Sequence, residues 1–129
     1  MSELRLETSD NRTHYKPGER IEGTVAWTIE DRPSEALLCL FWHTAGKGDR
    51  DVGIAVNMPF DDPSPRDERP FSIQAPPAPY SFSGQLITLT WSIELVVNPG
   101  DRVERLDLVI TPTAEEIALA HPEAPGPQL

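Results

Sequence analysis

The chain has 129 residues, of which 38% are hydrophobic and 25% are charged, a composition typical of a single globular domain. Its 21 acidic and 11 basic residues give a net charge of -10. This balance argues against nucleic acid as a partner and against an anionic membrane surface, because both require clustered lysine and arginine. Cys39 is the only cysteine, which excludes an internal disulfide and a cysteine-based zinc site.

The N-terminal residues form no apolar signal region, and no stretch approaches the roughly 20 apolar residues of a membrane span. We therefore expect a cytoplasmic protein with no membrane insertion.

Fourteen prolines are spread along the chain, a spacing that favours short strands over long helices. The first two predicted strands, around 3–7 and 20–30, alternate apolar and polar residues, as half-buried antiparallel strands do. In the second of them Val25 and Trp27 belong to the inward phase. A turn at Pro17-Gly18 separates the two strands. The run 37–42 is apolar on both faces, and its turn-bounded shortness predicts a central strand.

Four further strands are predicted around 52–58, 69–74, 87–97 and 106–110. Alternation in the first of these predicts that one face carries Val52, Ile54, Val56 and Met58. In the strand at 87–97 the inward phase includes Trp91. Pro70 predicts an edge position or a strand start, because proline cannot donate to a sheet ladder.

Seven short strands with regular turns predict an all-β fold, an immunoglobulin-like or arrestin-like antiparallel β-sandwich, over residues 1–112. The bridged cysteines of immunoglobulin domains are missing. Residues 113–129 are rich in proline and alanine, and we expect a largely disordered C-terminal tail.

Four stretches of the sequence resemble the arrestin-like β-sandwich family in order and spacing. They are Pro17 to Val25, Phe71 to Pro76, Pro79 to Gly84 and Ile87 to Leu95. The resemblance covers roughly residues 3–112 and implies a non-catalytic adaptor or scaffold that binds other proteins. Family members that recognise phosphorylated receptors use two such domains with a polar core between them. This chain holds one, so it resembles a small single-domain bacterial relative, and phosphoreceptor recognition does not carry over.

Alternating strand directions predict that the loops gather at two ends of the sandwich. The loops near 8–19, 45–51 and 75–83 share one end, whose aromatic and cationic residues are typical of protein interfaces. The candidate partner-binding residues there are Tyr15, Lys16, His43, Lys47, Tyr80 and Phe82.

The other end collects the loops near 31–35, 60–68 and 98–102, which are rich in carboxylates. Asp61, Asp62 and Asp101 are a weak alternative calcium site, because carboxylates from separate loops can converge on one cation. Arginines in the same loops compete by charge pairing, so we expect no metal and no cofactor.

No catalytic group stands out. Ser81 and Ser83 lack the flanking glycines of a nucleophile elbow, and Cys39 lies in an apolar run typical of a buried, inert thiol. The leading hypothesis is a non-enzymatic protein-interaction domain, an adaptor or scaffold. The alternative is a calcium- or small-ligand-binding sandwich, and an enzyme ranks third. No residue pattern specifies the partner, the pathway or the oligomeric state.

Overall fold

The computed structural model describes residues 2–46, 50–83, 87–112 and 117–118. These residues form ten strands and one short 3-10 turn at Ser9–Asn11. The strands are β1 (Glu3–Thr8), β2 (His14–Tyr15), β3 (Arg20–Thr28), β4 (Glu35–Gly46), β5 (Val52–Pro59), β6 (Arg66–Gln74), β7 (Phe82–Ser83), β8 (Ile87–Asn98), β9 (Arg102–Ile110) and β10 (Ile117–Ala118). The seven long strands correspond to the seven predicted ones, and the other three have two residues each.

Two sheets make the sandwich. The smaller has the order β1-β3-β6, with both pairings antiparallel. In the larger, β4 lies between β5 and β8, and the far side of β8 pairs first with β7 and then with β9. The two-residue strands add parallel pairings, β2 to β9 and β10 to β7. The predicted all-β antiparallel sandwich is therefore confirmed, and Pro70 lies on an edge strand as expected.

The core lies between the inner faces of the two sheets. Alternate residues of β3 and β8 are buried there, including Val25, Trp27, Trp91 and Ile93. This pattern confirms the strand phases that the alternation predicted. The phase of a strand is strongly specified wherever one of its faces is buried.

Two buried tryptophans each tie a loop to the core. The indole N–H of Trp27 donates to the carbonyl of Ser64 at 2.7 Å, and that of Trp91 donates to the carbonyl of Pro79 at 2.8 Å. Because a buried indole N–H needs a partner, the two loops are fixed by the same residues that fill the core.

The fifth strand departs from its predicted phase. Leu40 pairs with Val56 but the next residue, Phe41, pairs with Ile54, so Ala55 is an extra residue in a β-bulge. A bulge shifts the alternation by one residue. Val56 and Met58 pack against the core as expected, whereas Val52 and Ile54 point outward and are 64% and 67% exposed. The prediction that all four share one face is wrong.

Two residues of the predicted tail belong to the sheet, since Ile117 and Ala118 pair with Phe82 and Ser83. The rest of 113–129 lies outside the described residues. Within the described part of the chain, no helix is long and apolar enough to cross a membrane.

We predict that Trp91→Ala lowers the free energy of unfolding by about 3–5 kcal/mol, because it empties a large core position and leaves the Pro79 carbonyl without its donor. The matched control is Ile54→Ala on the exposed face, which should change stability by less than about 0.5 kcal/mol. Urea denaturation measures both, and the reverse order would contradict the observed strand phases.

Candidate functional site

Tyr15 lies inside the protein rather than on the predicted interface. The side chain is 2% exposed, its hydroxyl donates to the carbonyl of Arg12 at 3.0 Å, and the Arg12 guanidinium lies 4.5 Å from the ring centre. Burial raises the pKa of the phenol. The choice of Tyr15 as an exposed anchor is therefore corrected: the residue stabilises the loop that precedes β3.

The other residues predicted for this loop end are dispersed. Lys16 is exposed, and its backbone N–H donates to Glu19. Tyr80 is 41% exposed, whereas Phe82 packs partly against the core. His43 lies within β4 and not in a loop. Lys47 lies outside the described residues.

Two of the three predicted loops do meet at this end. The N–H of Gly18 donates to the carbonyl of Ala75 at 2.9 Å, and the Gln74 amide donates to the carbonyl of Gly18 at 3.3 Å. Ser81 is fully buried, and its hydroxyl accepts from the N–H of Ile110 at 3.0 Å. This hydrogen bond therefore holds the crossover loop 75–83 against the end of β9.

Arginines engage two of the three aspartates suggested for calcium. Asp62 pairs with Arg32 at 3.1 Å, and the backbone carbonyl of Asp61 accepts from Arg69 at 2.9 Å. Among the described residues no group of three or more histidine, cysteine or acidic side chains could hold a metal ion. Arg32 and Arg69 thus compete for two of these loops, as the sequence suggested, and the calcium alternative itself stays a prediction.

A two-point ion pair joins Asp67 and Arg69 at the acidic loop end. The guanidinium makes two parallel bonds of 2.9 Å to the carboxylate, which also accepts from the backbone N–H groups of Ser64 and Glu68. The hydrogen bonds from Arg69 lower the pKa of Asp67 and raise that of Arg69. This pair holds the loop that Trp27 anchors from the core side.

The outer face of the larger sheet presents the main exposed apolar surface. Residues opposite one another in an antiparallel pair share a face, so the register defines rows across the sheet. From β5 to β9 the rows are Pro59, Leu37, Val96, Val103; then Asn57, Cys39, Glu94, Arg105; then Ile54, Phe41, Ser92, Asp107; then Val52, His43, Thr90. We call the group Phe41, His43, Val52 and Ile54 the β5 corner.

A polar cluster borders this corner. The Ser92 hydroxyl donates to Asp107 at 2.7 Å, Arg105 pairs with the same carboxylate at 3.3 Å, and Arg105 also contacts Nε2 of His43 at 3.2 Å. The guanidinium lies 5.8 Å from the centre of the Phe41 ring. Although serine, histidine and aspartate are all present, Arg105 separates His43 from Ser92, so the imidazole is not placed to deprotonate the hydroxyl.

Cys39 lies on the outer face and is half-buried, which corrects its predicted place in the core. Its Sγ is 3.7 Å from the side-chain oxygen of Asn57. Desolvation, with the charges of Glu94 and Glu35, raises the pKa of the thiol. The predicted lack of reactivity is thus explained by a scarce thiolate and not by complete burial.

The edge strands differ sharply in charge. Among the described residues, four of the long strands are edge strands, each paired with one other long strand: β1, β6, β9 and β5. Each of the first three carries at least three charged residues, and β6 adds Pro70, whereas β5 has no ionisable side chain. Charges and proline on an edge normally prevent the addition of a further strand. Strand β5 lacks that charge protection, although it contains the bulge at Ala55 and ends in Pro59.

A polar depression lies on the smaller sheet. It has a volume of about 460 Å³ and is lined by Trp27 and by charged residues of β1 and β6. Arg5 and Glu68 approach each other across it at 4.0 Å. Most of the lining charges can pair with one another, and the depression lacks the apolar lining typical of small-molecule sites.

Comparison with solved structures supports the fold. Spo0M, a sporulation control protein from Bacillus subtilis, superposes with a TM-score of 0.61 at 16% identity over 85% of this chain and 49% of that chain. The present chain thus spans about half the length of Spo0M. A β-glucosidase from Listeria innocua matches with a TM-score of 0.48 at 14% identity, over 90% of this chain and 16% of that one, which is too distant to carry an argument.

No protein-family model and no curated protein sequence matches the chain. The likeness to Spo0M therefore concerns the fold alone, and it supports the β-sandwich that the sequence predicts.

We predict that Asp67→Asn lowers the free energy of unfolding at pH 7 by about 1–3 kcal/mol, because charge-assisted hydrogen bonds to Arg69 are lost. The exposed Asp101→Asn is the control and should have little effect. Since the pKa of Asp67 is lowered in the folded protein, its contribution is present above the unfolded pKa of about 3.9 and lost as the pH falls. Urea denaturation at several pH values should show the gap between wild type and Asp67→Asn closing below about pH 4.

We also predict slow labelling of Cys39 by a maleimide at pH 7, because its raised pKa leaves little thiolate. The labelling rate should rise as the pH passes the usual range of a free thiol. Urea-unfolded protein is the control and should react like a free cysteine. A native rate equal to the unfolded rate at pH 7 would contradict the expectation.

Proposed function

We propose that this domain is a non-catalytic protein-interaction module, an adaptor or scaffold, and that it binds its partner through the β5 corner. The observation that carries the proposal is the exposure of Val52 and Ile54 side by side with Phe41 on a sheet face turned to solvent.

The corner has the features of an interface anchor. Burying one large aliphatic side chain contributes about 1.5–3 kcal/mol, so two exposed at 64% and 67% offer a useful share of a binding free energy. Phe41 supplies an aromatic surface already held by Arg105, so little conformational freedom is lost on binding. Arg105 and His43 form a polar rim, the arrangement typical of interfaces.

The polar cluster beside the corner favours binding over catalysis. Ser92 donates to Asp107 and Arg105 occupies the space between that carboxylate and His43, so each polar group is already engaged with another. Such a network orients a surface but presents no activated nucleophile. The name of Spo0M, a sporulation control protein, is compatible with a regulatory role for this fold.

The loop end is the second candidate surface. Tyr80 is its exposed aromatic residue. Lys16 lies in the loop 8–19, which meets the loop 75–83 through the hydrogen bond from Gly18 to Ala75. With Tyr15 buried, this surface has fewer anchors than the sequence predicted, so the β5 corner ranks first.

The test is affinity capture from the native host with three full-length proteins: wild type, Val52→Glu/Ile54→Glu, and Val103→Glu. Val103 is 48% exposed on the same face but at the far edge, which makes it a matched control. We expect the corner variant to capture at least about tenfold less partner than the wild type, because binding would bury the two introduced carboxylates without a partner charge.

Circular dichroism and urea denaturation first establish that all three proteins fold alike. Equal capture by the wild type and the corner variant would reject the β5 corner. A parallel Tyr80→Ala variant that alone loses capture would transfer the site to the loop end. Failure of every protein to retain a partner would reject the adaptor function.

A further inference from the structure

The inference concerns the backbone edge of β5 and rests on the proposed function. Among the described strands β5 pairs only with β4, so its other side presents N–H and C=O groups without a described strand partner along Val52–Pro59, where Pro59 contributes a carbonyl but no N–H. Such an edge can accept one more strand.

We propose that β5 receives an extended, net-basic segment of a partner protein, which adds antiparallel to it as a further strand of the larger sheet.

The contrast among the edges supports strand addition at this place. Strand β1 carries a charge at every second position, at Glu3, Arg5 and Glu7, and β6 and β9 carry charged residues at a similar density. An approaching strand would have to desolvate those side chains, whereas β5 offers valine, isoleucine, glycine, alanine, asparagine and methionine, with a proline at its last position. Strand addition also covers Val52 and Ile54 if the incoming segment has apolar residues at alternate positions on the outer face.

Charge complementarity indicates the kind of segment. The described β4–β5 ribbon, residues 35–46 and 50–62, has Arg50 as its basic residue against four acidic ones. These are Glu35, Asp51, Asp61 and Asp62. The chain as a whole has a net charge of -10, so a basic segment is attracted and a second copy of this chain is repelled.

The same charges favour one direction. Asp61 and Asp62 follow the C-terminal end of β5, whereas Arg50 and Asp51 offset each other before the start of the strand. Arg32 already pairs with Asp62 at 3.1 Å, so the Asp61 carboxylate is the one that no described arginine or lysine pairs with. In antiparallel pairing the N-terminal end of the incoming segment lies beside Asp61 and Asp62. The basic residues of the segment should therefore matter most at its N-terminal end.

The probes are three capped, fluorescently labelled octapeptides of alternating valine and threonine. One has lysines at both ends, one has glutamates at both ends, and one is the lysine peptide with its central valine replaced by proline. Fluorescence anisotropy measures their binding to full-length wild type, Ile54→Lys and Val103→Lys. Ile54→Lys places a charge on the edge, and Val103→Lys adds the same charge at the far side of the sheet.

We expect the lysine peptide to bind wild type at least about tenfold more tightly than the glutamate peptide and the proline peptide. Ile54→Lys should weaken its binding by about tenfold or more, while Val103→Lys changes it by less than about threefold. Moving both lysines to the N-terminal end should retain binding, and moving them to the C-terminal end should weaken it.

Equal binding of the lysine and glutamate peptides, equal binding to Ile54→Lys, or no binding of any peptide at 1 mM, on the order of the weakest specific complexes, would overturn the proposal. Sedimentation of wild type alone provides a further test, since a dimer abolished by Ile54→Lys would make a second copy the occupant and overturn it as well. Host capture lost in the corner variant without peptide binding would leave the proposed function standing and reject this inference. Peptide binding without host capture would leave the strand-addition inference standing and reject the proposed adaptor function.

Discussion

The sandwich depends on two indole N–H groups that must find partners inside the core. Trp27 and Trp91 fill the space between the sheets, and each donates to a loop carbonyl, at Ser64 and at Pro79. Losing either bond would strand a buried donor at a cost of about 1–3 kcal/mol, so core packing and loop position are coupled. The Trp27 loop is also held by Asp67 and Arg69, and the Trp91 loop by Ser81. These two loops are therefore held in place by the residues that fill the core and by their own hydrogen bonds.

A single inserted residue gives β5 its surface. Without the bulge at Ala55, Val52 and Ile54 would point inward with Val56, and the outer face at this corner would carry Gly53 and Ala55 instead. Gly53 instead takes the inward position, where a Cβ atom would lie 2.3 Å from the indole of Trp42. The Trp42 ring thus covers the glycine from the core side, and no bulky residue fits there. The bulge that places Gly53 against Trp42 on the core side thus also places Val52 and Ile54 on the solvent side.

Sequence reasoning succeeded where burial on one face imposes a period of two, as for Val25 and Trp91. It failed at Val52 because Gly53, an isolated glycine of the kind that marks a bulge, was interpreted as part of a regular alternation, and at Cys39 because an apolar run does not distinguish two faces. Tyr15 was misplaced because β2 has two residues, too few for a period, and its burial depends on pairing with the distant β9. The aspartates were counted correctly, but a sequence does not show which arginine each one meets.

An edge without charges raises the question of what prevents this protein from pairing with itself. Two strands must approach to about 5 Å to form a ladder, well within the screening length of about 8–10 Å at physiological salt. At that separation two copies of a chain this acidic repel one another, while a basic strand is attracted. The net charge of -10 then does for self-association what edge lysines do elsewhere. It leaves the backbone of β5 open to unlike partners, since a repulsion between like charges does not act on a strand of opposite charge.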